Sequence, residues 1–332
     1  MKVFLKSSGL FIFIVLFISV FSSIFGSANS FVGISLITTF LTIKDFNLGI
    51  SHKIASIVIL LIFPVIGCVT HYFQSNIYIS FFINFLTIIS IFVFTGPKYI
   101  YKSYISFLLC FIFLQSTPVQ GRDWFFRIAG LLIGSLSLSL VYYFCHRNSD
   151  EEVISIKENI RNLISISPET SFIIRMSLGI PIAVIVGHLL HQPKTMWVTI
   201  VVMSLTQISR DDMKTRIKKR VQASIIGIIL FTFIVHLIIP EHFYSFIPIV
   251  LGYIYSFINE YKHQQIINTI NVLTISALVI GAGTSITLRF VMLFSGVEIV
   301  MMLDIIHQSV KKVYLSSQKE NYYKYQEKRF SN

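Results

Sequence analysis

Lysine and arginine sit on alternate connections between about a dozen apolar runs. This alternation constrains both the class of fold and its orientation. Of the 27 basic residues, 23 fall on one set of connections, and Arg122, Arg127, Lys194 and Arg289 make up the other. Charged residues are 13% of the 332 and hydrophobic ones 54%; mean hydropathy is +0.75. A water-soluble chain carries about 25% charged residues. A chain this apolar has to be solvated by lipid.

A transmembrane helix needs about 20 mostly apolar residues. Twelve runs qualify or nearly so. The first six are 9–27, 30–43, 54–73, 77–95, 104–118 and 124–145; the second six are 172–190, 195–208, 221–239, 243–259, 266–282 and 285–306. The second and eighth are short enough to tilt or to cross only in part. Unpaired backbone groups are excluded from hydrocarbon, so the runs are read as helices, and the alternation of a membrane barrel is absent. The predicted fold class is an all-α membrane protein of about 12 transmembrane helices in two parallel six-helix repeats. Its parts are a first repeat (1–146), a cytoplasmic amphipathic linker (147–171), a second repeat (172–306) and a cytoplasmic tail (307–332).

The basic residues mark the cytoplasmic side. Both termini then face the cytoplasm, in a multi-pass protein of the cell membrane. The first run, after Lys2 and Lys6, is too long for a signal peptide and lacks a cleavage motif, so it reads as a retained helix. The net charge of +12 is spread over every inner connection, which argues against nucleic acid as a partner. Cys68, Cys110 and Cys145 show neither metal spacing nor a disulfide framework, and no metal or cofactor is expected. In the linker, Ser149 and Glu152 form a capping box. Val153, Ile156, Ile160, Leu163 and Ile164 then share one helix face, stopped by Pro168; such a helix lies on the inner membrane surface.

The repeat rests on register. Phe31-x-Gly33-Ile34 aligns with Trp197-x-Thr199-Ile200 at an offset of 166, which places Lys44 on Arg210 and Lys53 on Lys219. An Arg-x6-Gly helix start occurs at Arg127/Gly134, Arg220/Gly227 and Arg289/Gly296, the first and last 162 apart. Two even-numbered units are parallel and related by an axis along the membrane normal.

The stretch from Pro193 through Trp197 to Gln207, followed by a charged loop and by Lys219-Arg220-x6-Gly227, resembles the core of the fusaric-acid-resistance-like family. That family includes the aromatic acid exporters and is distantly similar to the plant aluminium-activated malate transporters. Trp124-x2-Arg127-x2-Gly130-x3-Gly134 resembles the later helix of its six-span unit. The resemblance implies a membrane transporter of small organic anions. It is clearest over 172–240 and weaker in the first half, where Phe31 stands for the Trp and Lys53 for the Arg. Larger members carry a big soluble domain after each unit, which this chain lacks.

Charge inside a membrane costs about 2.5–3.5 kcal/mol on insertion scales and marks function by default. Glu298, near the middle of the last run, is the candidate for proton coupling, because removal from water favours a neutral carboxyl and contact with water lets it ionise. Its bland alternative is a structural hydrogen bond. Arg127 and Arg289, at matching repeat positions, are candidates to bind a carboxylate, guanidinium and carboxylate being matched for paired hydrogen bonds. Their bland alternative is anchoring at the outer headgroups. Trp197 and Gln207 complete the expected substrate-binding set; Arg220, Gly227, Gly134 and Gly296 are expected to be structural. Asp304 and His307 read as ordinary interfacial residues. No Walker, Gly-x-Ser-x-Gly, His-Glu-x2-His or paired-Cys motif is present, so no enzyme is expected.

The leading expectation is an exporter of small, aromatic-carboxylate-like anions, proton-coupled through Glu298. An organic-anion channel is the alternative, and a membrane-embedded envelope enzyme or assembly protein a further one. A homodimer or an accessory subunit is compatible with all three. The orientation is testable with single cysteines in a chain whose native cysteines are replaced. Lys194→Cys should react with an impermeant maleimide added outside, and Thr215→Cys should not; the reverse pattern would invert the topology.

Overall fold

The computed structural model describes residues 2–45, 48–72, 76–95, 102–147, 160–161, 167–190 and 195–330. Twelve α-helices are described: α1 (Lys2–Phe25), α2 (Ser30–Thr42), α3 (His52–Tyr72), α4 (Ile77–Thr95), α5 (Tyr104–Ser116), α6 (Arg122–His146), α7 (Pro168–Leu189), α8 (Met196–Leu205), α9 (Arg210–Leu230), α10 (Ile247–Tyr255), α11 (Tyr261–Ile280) and α12 (Ala282–Phe330). Each answers one of the twelve apolar runs, and no strand occurs among the described residues.

Seven helices are long and apolar enough to cross a membrane: α1 from Ser7, α3, α4, α6, α7, α9 with its π-helical extension to His236, and α12 as far as Lys312. This is fewer than the twelve crossings expected. The helices α2 and α5 have 13 residues each, α8 has 10 and α10 has 9. At ~1.5 Å per residue even the longer of these reach about 20 Å, short of a hydrocarbon core ~30 Å thick. The 20-residue α11 carries Gln264, Gln265, Asn268 and Asn271 and is not among the seven.

Three boundaries differ from the sequence reading, each for a local reason. Pro168 opens α7 instead of closing the linker: the Ser167 hydroxyl accepts from the Thr170 amide at 3.1 Å, and proline at a first helical position loses no hydrogen bond. The basic segment 210–220, expected as a loop, is the start of α9. Ser209 caps it, and Asp211 and Asp212 occupy its first turn, where the helix dipole favours acids. The segment expected as a tail from 307 continues α12 without a break to Phe330. The amphipathic segment 149–164 lies outside the described residues apart from Ile160 and Arg161.

In each half the first helix packs on the second and the sixth, and the second packs on the sixth: α1, α2 and α6, then α7, α8 and α12. Beyond these triads the halves diverge. The main partner of α3 is α6, whereas α9 lies chiefly along α11. The halves meet through α4 on α7 and α5 on α8. One apolar cluster joins α2, α3, α5 and α6 to α7, α8 and α12. A smaller one, including Phe231, Tyr244, Ile270 and Leu273, holds α9 to α11. Of the short helices α5 and α8 lie inside, whereas α10 has no buried residue. Trp197, Val198, Val201, Val202 and Leu205 of α8 are all buried, as are Phe107, Leu108, Phe111 and Leu114 of α5. A helix surrounded by protein can end within the membrane if its terminal carbonyls find partners.

Two reversals between helices need glycine. Gly26 between α1 and α2 has φ +89°, and Gly281 between α11 and α12 has φ +80°, where an L side chain clashes with its own backbone. The glycines of the repeated motif allow close helix approach. Gly134 of α6 faces Leu36 of α2, and Gly296 of α12 faces Val201 of α8, whose Cγ1 would lie 2.6 Å from an added Cβ. Gly227 of α9 faces Thr269 of α11, whose Cβ would lie 2.7 Å away. Gly296→Ala should lower stability by about 1–3 kcal/mol through overpacking, read as a lower midpoint of thermal unfolding in detergent. Gly283→Ala, one end of the same helix, meets nothing within 4 Å and should leave the midpoint unchanged or higher.

Candidate functional site

The last turn of any helix leaves carbonyls without intrahelical partners, and helix carboxyl ends carry partial negative charge. Arginines meet both demands here. Arg127 of α6 is buried and donates from Nε to Asn29 Oδ1 at 2.9 Å, from Nη1 to the Thr117 carbonyl at 2.7 Å and from Nη2 to the Ala28 carbonyl at 3.2 Å. It thereby ties the carboxyl end of α5 to the α1–α2 reversal. Asn29 in turn donates to the carbonyls of Phe25 and Asp123 at 2.9 and 3.1 Å.

The carboxyl end of α8 is held by three cations. Arg175 of α7 donates from Nη2 to the Gln207 carbonyl at 2.7 Å. Arg216 Nη1 reaches the Ser204 carbonyl at 3.3 Å, and Arg220 Nη1 reaches the Ser204 hydroxyl at 2.9 Å. Gln207 turns its side chain back on the same end, donating to the carbonyls of Thr206 and Ser204 at 2.8 and 3.2 Å. Beside it, Asp304 of α12 is buried and joins α12 to the amino-terminal turns of α7 and α9. Its carboxylate lies 3.6 Å from Arg175 Nη1 and 3.0 Å from Arg210 Nε, and it accepts from Gln308 Nε2 at 2.7 Å. Sequence reading had treated Asp304 as interfacial; its neighbours are remote in sequence and leave no local signal.

Arg289 differs from all of these. It is buried in α12 near the amino end of α8, with its guanidinium 5.5 Å from the Trp197 ring centroid. Among the described residues it makes no hydrogen bond or ion pair, and its buried Nε has no partner. The charged group close enough to act on it is another cation, Arg220, whose own Nε is also buried and unpartnered. Ser224 Oγ, one turn beyond Arg220 on α9, is buried and unpartnered too. Arg216, half-buried, lies over the Tyr261 ring at 5.1 Å. Arg216, Arg220 and Arg289 thus form a series of guanidiniums, with Tyr261 beside the first and Trp197 beside the last.

The structure therefore separates the residues that the sequence had grouped. Arg127 and Arg289 share no contact residue, and the donors of Arg127 go to neutral acceptors of its own half. Trp197 is in place beside Arg289. Gln207 lies at the far end of α8, with Arg175. Arg220, expected to be structural, is both a cap for α8 and the cationic neighbour of Arg289. Glu298 does not share the Arg289 pathway. The nine residues between them turn the helix by about 180° at ~3.6 residues per turn; Arg289 is buried and Glu298 is exposed on the opposite face. No group of three or more potential metal ligands occurs among the described residues.

No curated protein and no solved structure matches the chain. A family model does, over the helices that build this cationic series. Residues 182–303, from within α7 to within α12, match the model of the family described as fusaric acid resistance protein-like.

Proposed function

We propose that the chain is a transporter of the cytoplasmic membrane, with both termini cytoplasmic, that exports small organic anions through the second half. Arg289 and Arg220 form its anion site. The observation that supports this best is the buried Arg289 guanidinium, which has no hydrogen bond or ion pair among the described residues and a second cation for its charged neighbour. Burying an uncompensated charge is expensive, and two such charges favour an anion between them. A carboxylate fits the guanidinium fork. Trp197 and Tyr261 offer ring faces beside the arginines, which favours substrates that join an aromatic ring to the carboxylate. Arg216 provides a first contact for anions arriving from the cytoplasm. On this reading residues 1–146 and 172–306 are two related six-helix units.

Glu298 faces away from this series, so proton coupling through it is not part of the proposal. The same placement favours a second reading, an organic-anion channel, which uses the arginines and needs no titrating acid.

Flux of benzoate-like carboxylates in proteoliposomes tests the site. Arg289→Gln should weaken apparent affinity about 10- to 100-fold, the equivalent of ~1.5–3 kcal/mol for a hydrogen bond to a charged group. Trp197→Leu should weaken aromatic carboxylates and spare aliphatic ones. An unchanged affinity in Arg289→Gln would sink the proposal. Saturable flux supports the carrier, and single-channel currents support the channel.

A further inference from the structure

The side of α12 turned away from the bundle carries a regular seam. Thr287, Val291, Phe294, Glu298, Met301 and Ile305 are all exposed and follow one another at spacings of four and three. Alternation of four and three is the spacing at which two helices pack knobs into holes. Five of the six are what a lipid-facing helix would present. Glu298 is not. It lies at the middle of the membrane-crossing part of α12, which runs to Lys312, and among the described residues it has no hydrogen bond or ion pair. A carboxyl group presented to lipid there would cost about 2.5–3.5 kcal/mol. The helix gains nothing in its own bundle from keeping an acid at that position.

We propose that this seam is the interface of a twofold-symmetric dimer of the chain, with Glu298 at its centre, bonded to Glu298 of the partner subunit. Two copies inserted in the same direction are related by an axis along the membrane normal. Their α12 helices then run parallel, with equal residues at equal depth. A second copy is the one partner that presents a carboxyl at the depth of Glu298 by construction. A protonated carboxyl donates and an ionised one accepts, so the two can share a proton where neither could face lipid alone. Phe294 and Met301, one step to either side along the seam, pack against their counterparts, and polarisable methionine adapts to such contacts. A single polar group in an apolar seam also fixes register. The helix continues unbroken to Phe330, so the two copies remain side by side as they leave the membrane. This inference is independent of the anion site.

Cross-linking in proteoliposomes at low protein density tests it. With the native cysteines replaced by alanine, Phe294→Cys, Glu298→Cys and Met301→Cys should give disulfide-linked dimers on oxidation. Ile133→Cys and Leu140→Cys, on the exposed face of α6, should not. In the native background, Glu298→Leu should weaken the dimer about tenfold, within the range of interhelical polar contacts in membranes, as read by energy transfer on dilution into lipid. Glu298→Gln, which can both donate and accept, should retain it. Absence of cross-links along the seam, or equal cross-linking on α6, overturns the dimer. An unchanged dimer in Glu298→Leu overturns the role of the carboxyl.

Discussion

Backbone carbonyls that end inside a membrane have no water to bond, and the rest of this structure depends on how they are satisfied. The helices α5 and α8 are too short to reach both surfaces, so their carboxyl ends fall within the bundle. Guanidinium groups meet them there, Arg127 at Thr117, Arg175 at Gln207 and Arg216 at Ser204, while Arg220 donates to the Ser204 hydroxyl. An arginine suits this position because its five donors can serve several carbonyls at once, while its charge answers the negative end of the helix dipole. The inner end is neutralised further by Asp304, which brings Arg175 and Arg210 together. Buried positive charge is thus a structural material in this protein, and most of it is accounted for without any ligand.

That accounting is what makes Arg289 informative. Removing an arginine from water leaves a charge and five donors to satisfy, and here the neighbours are an indole face and a second guanidinium. An indole face compensates part of a desolvated charge, by ~2 kcal/mol or somewhat more, and supplies no acceptor for Nε. The imbalance is concentrated between α8, α9 and α12, within the segment that matches the family. An anion, as proposed, would complete the local electrostatics in a way that no side chain described there does.

The twelve helices and their order were legible because hydrophobic periodicity and length are local properties. The close approaches at Gly134, Gly227 and Gly296 were legible as repeated motifs, since a missing side chain matters where helices touch. Exposure was not legible. Glu298 and Arg289 lie on one apolar run, and nothing in the run says which face meets the bundle and which meets the outside. Asp304 was missed for a related reason: its partners come from α7 and α9, and proximity across helices leaves no mark in the sequence near it. The start of α9 was misread because a dense run of charge resembles a loop, although Ser209 with Asp211 and Asp212 already spelled a helix start.

The proposed repeat gives these differences a common origin. At an offset of 166, Asn29 corresponds to Thr195 and Phe31 to Trp197, while Arg127 corresponds to Arg289 at an offset of 162. In the first half the Asn29 amide oxygen accepts from Arg127 Nε. Thr195 has no such reach and instead packs against Gly187, where its Cβ would lie 2.9 Å from an added methyl. Phe31 packs at a tilt against Phe113, ring centroids 5.0 Å apart, whereas Trp197 turns its ring under the guanidinium of Arg289. Two substitutions at matching places therefore separate a capped arginine from a free one. On the proposed repeat, a clamp that lacks the acceptor and has an aromatic wall differs by little from one that only holds helices together, and that small difference leaves the Arg289 guanidinium available to the anion of the proposed site.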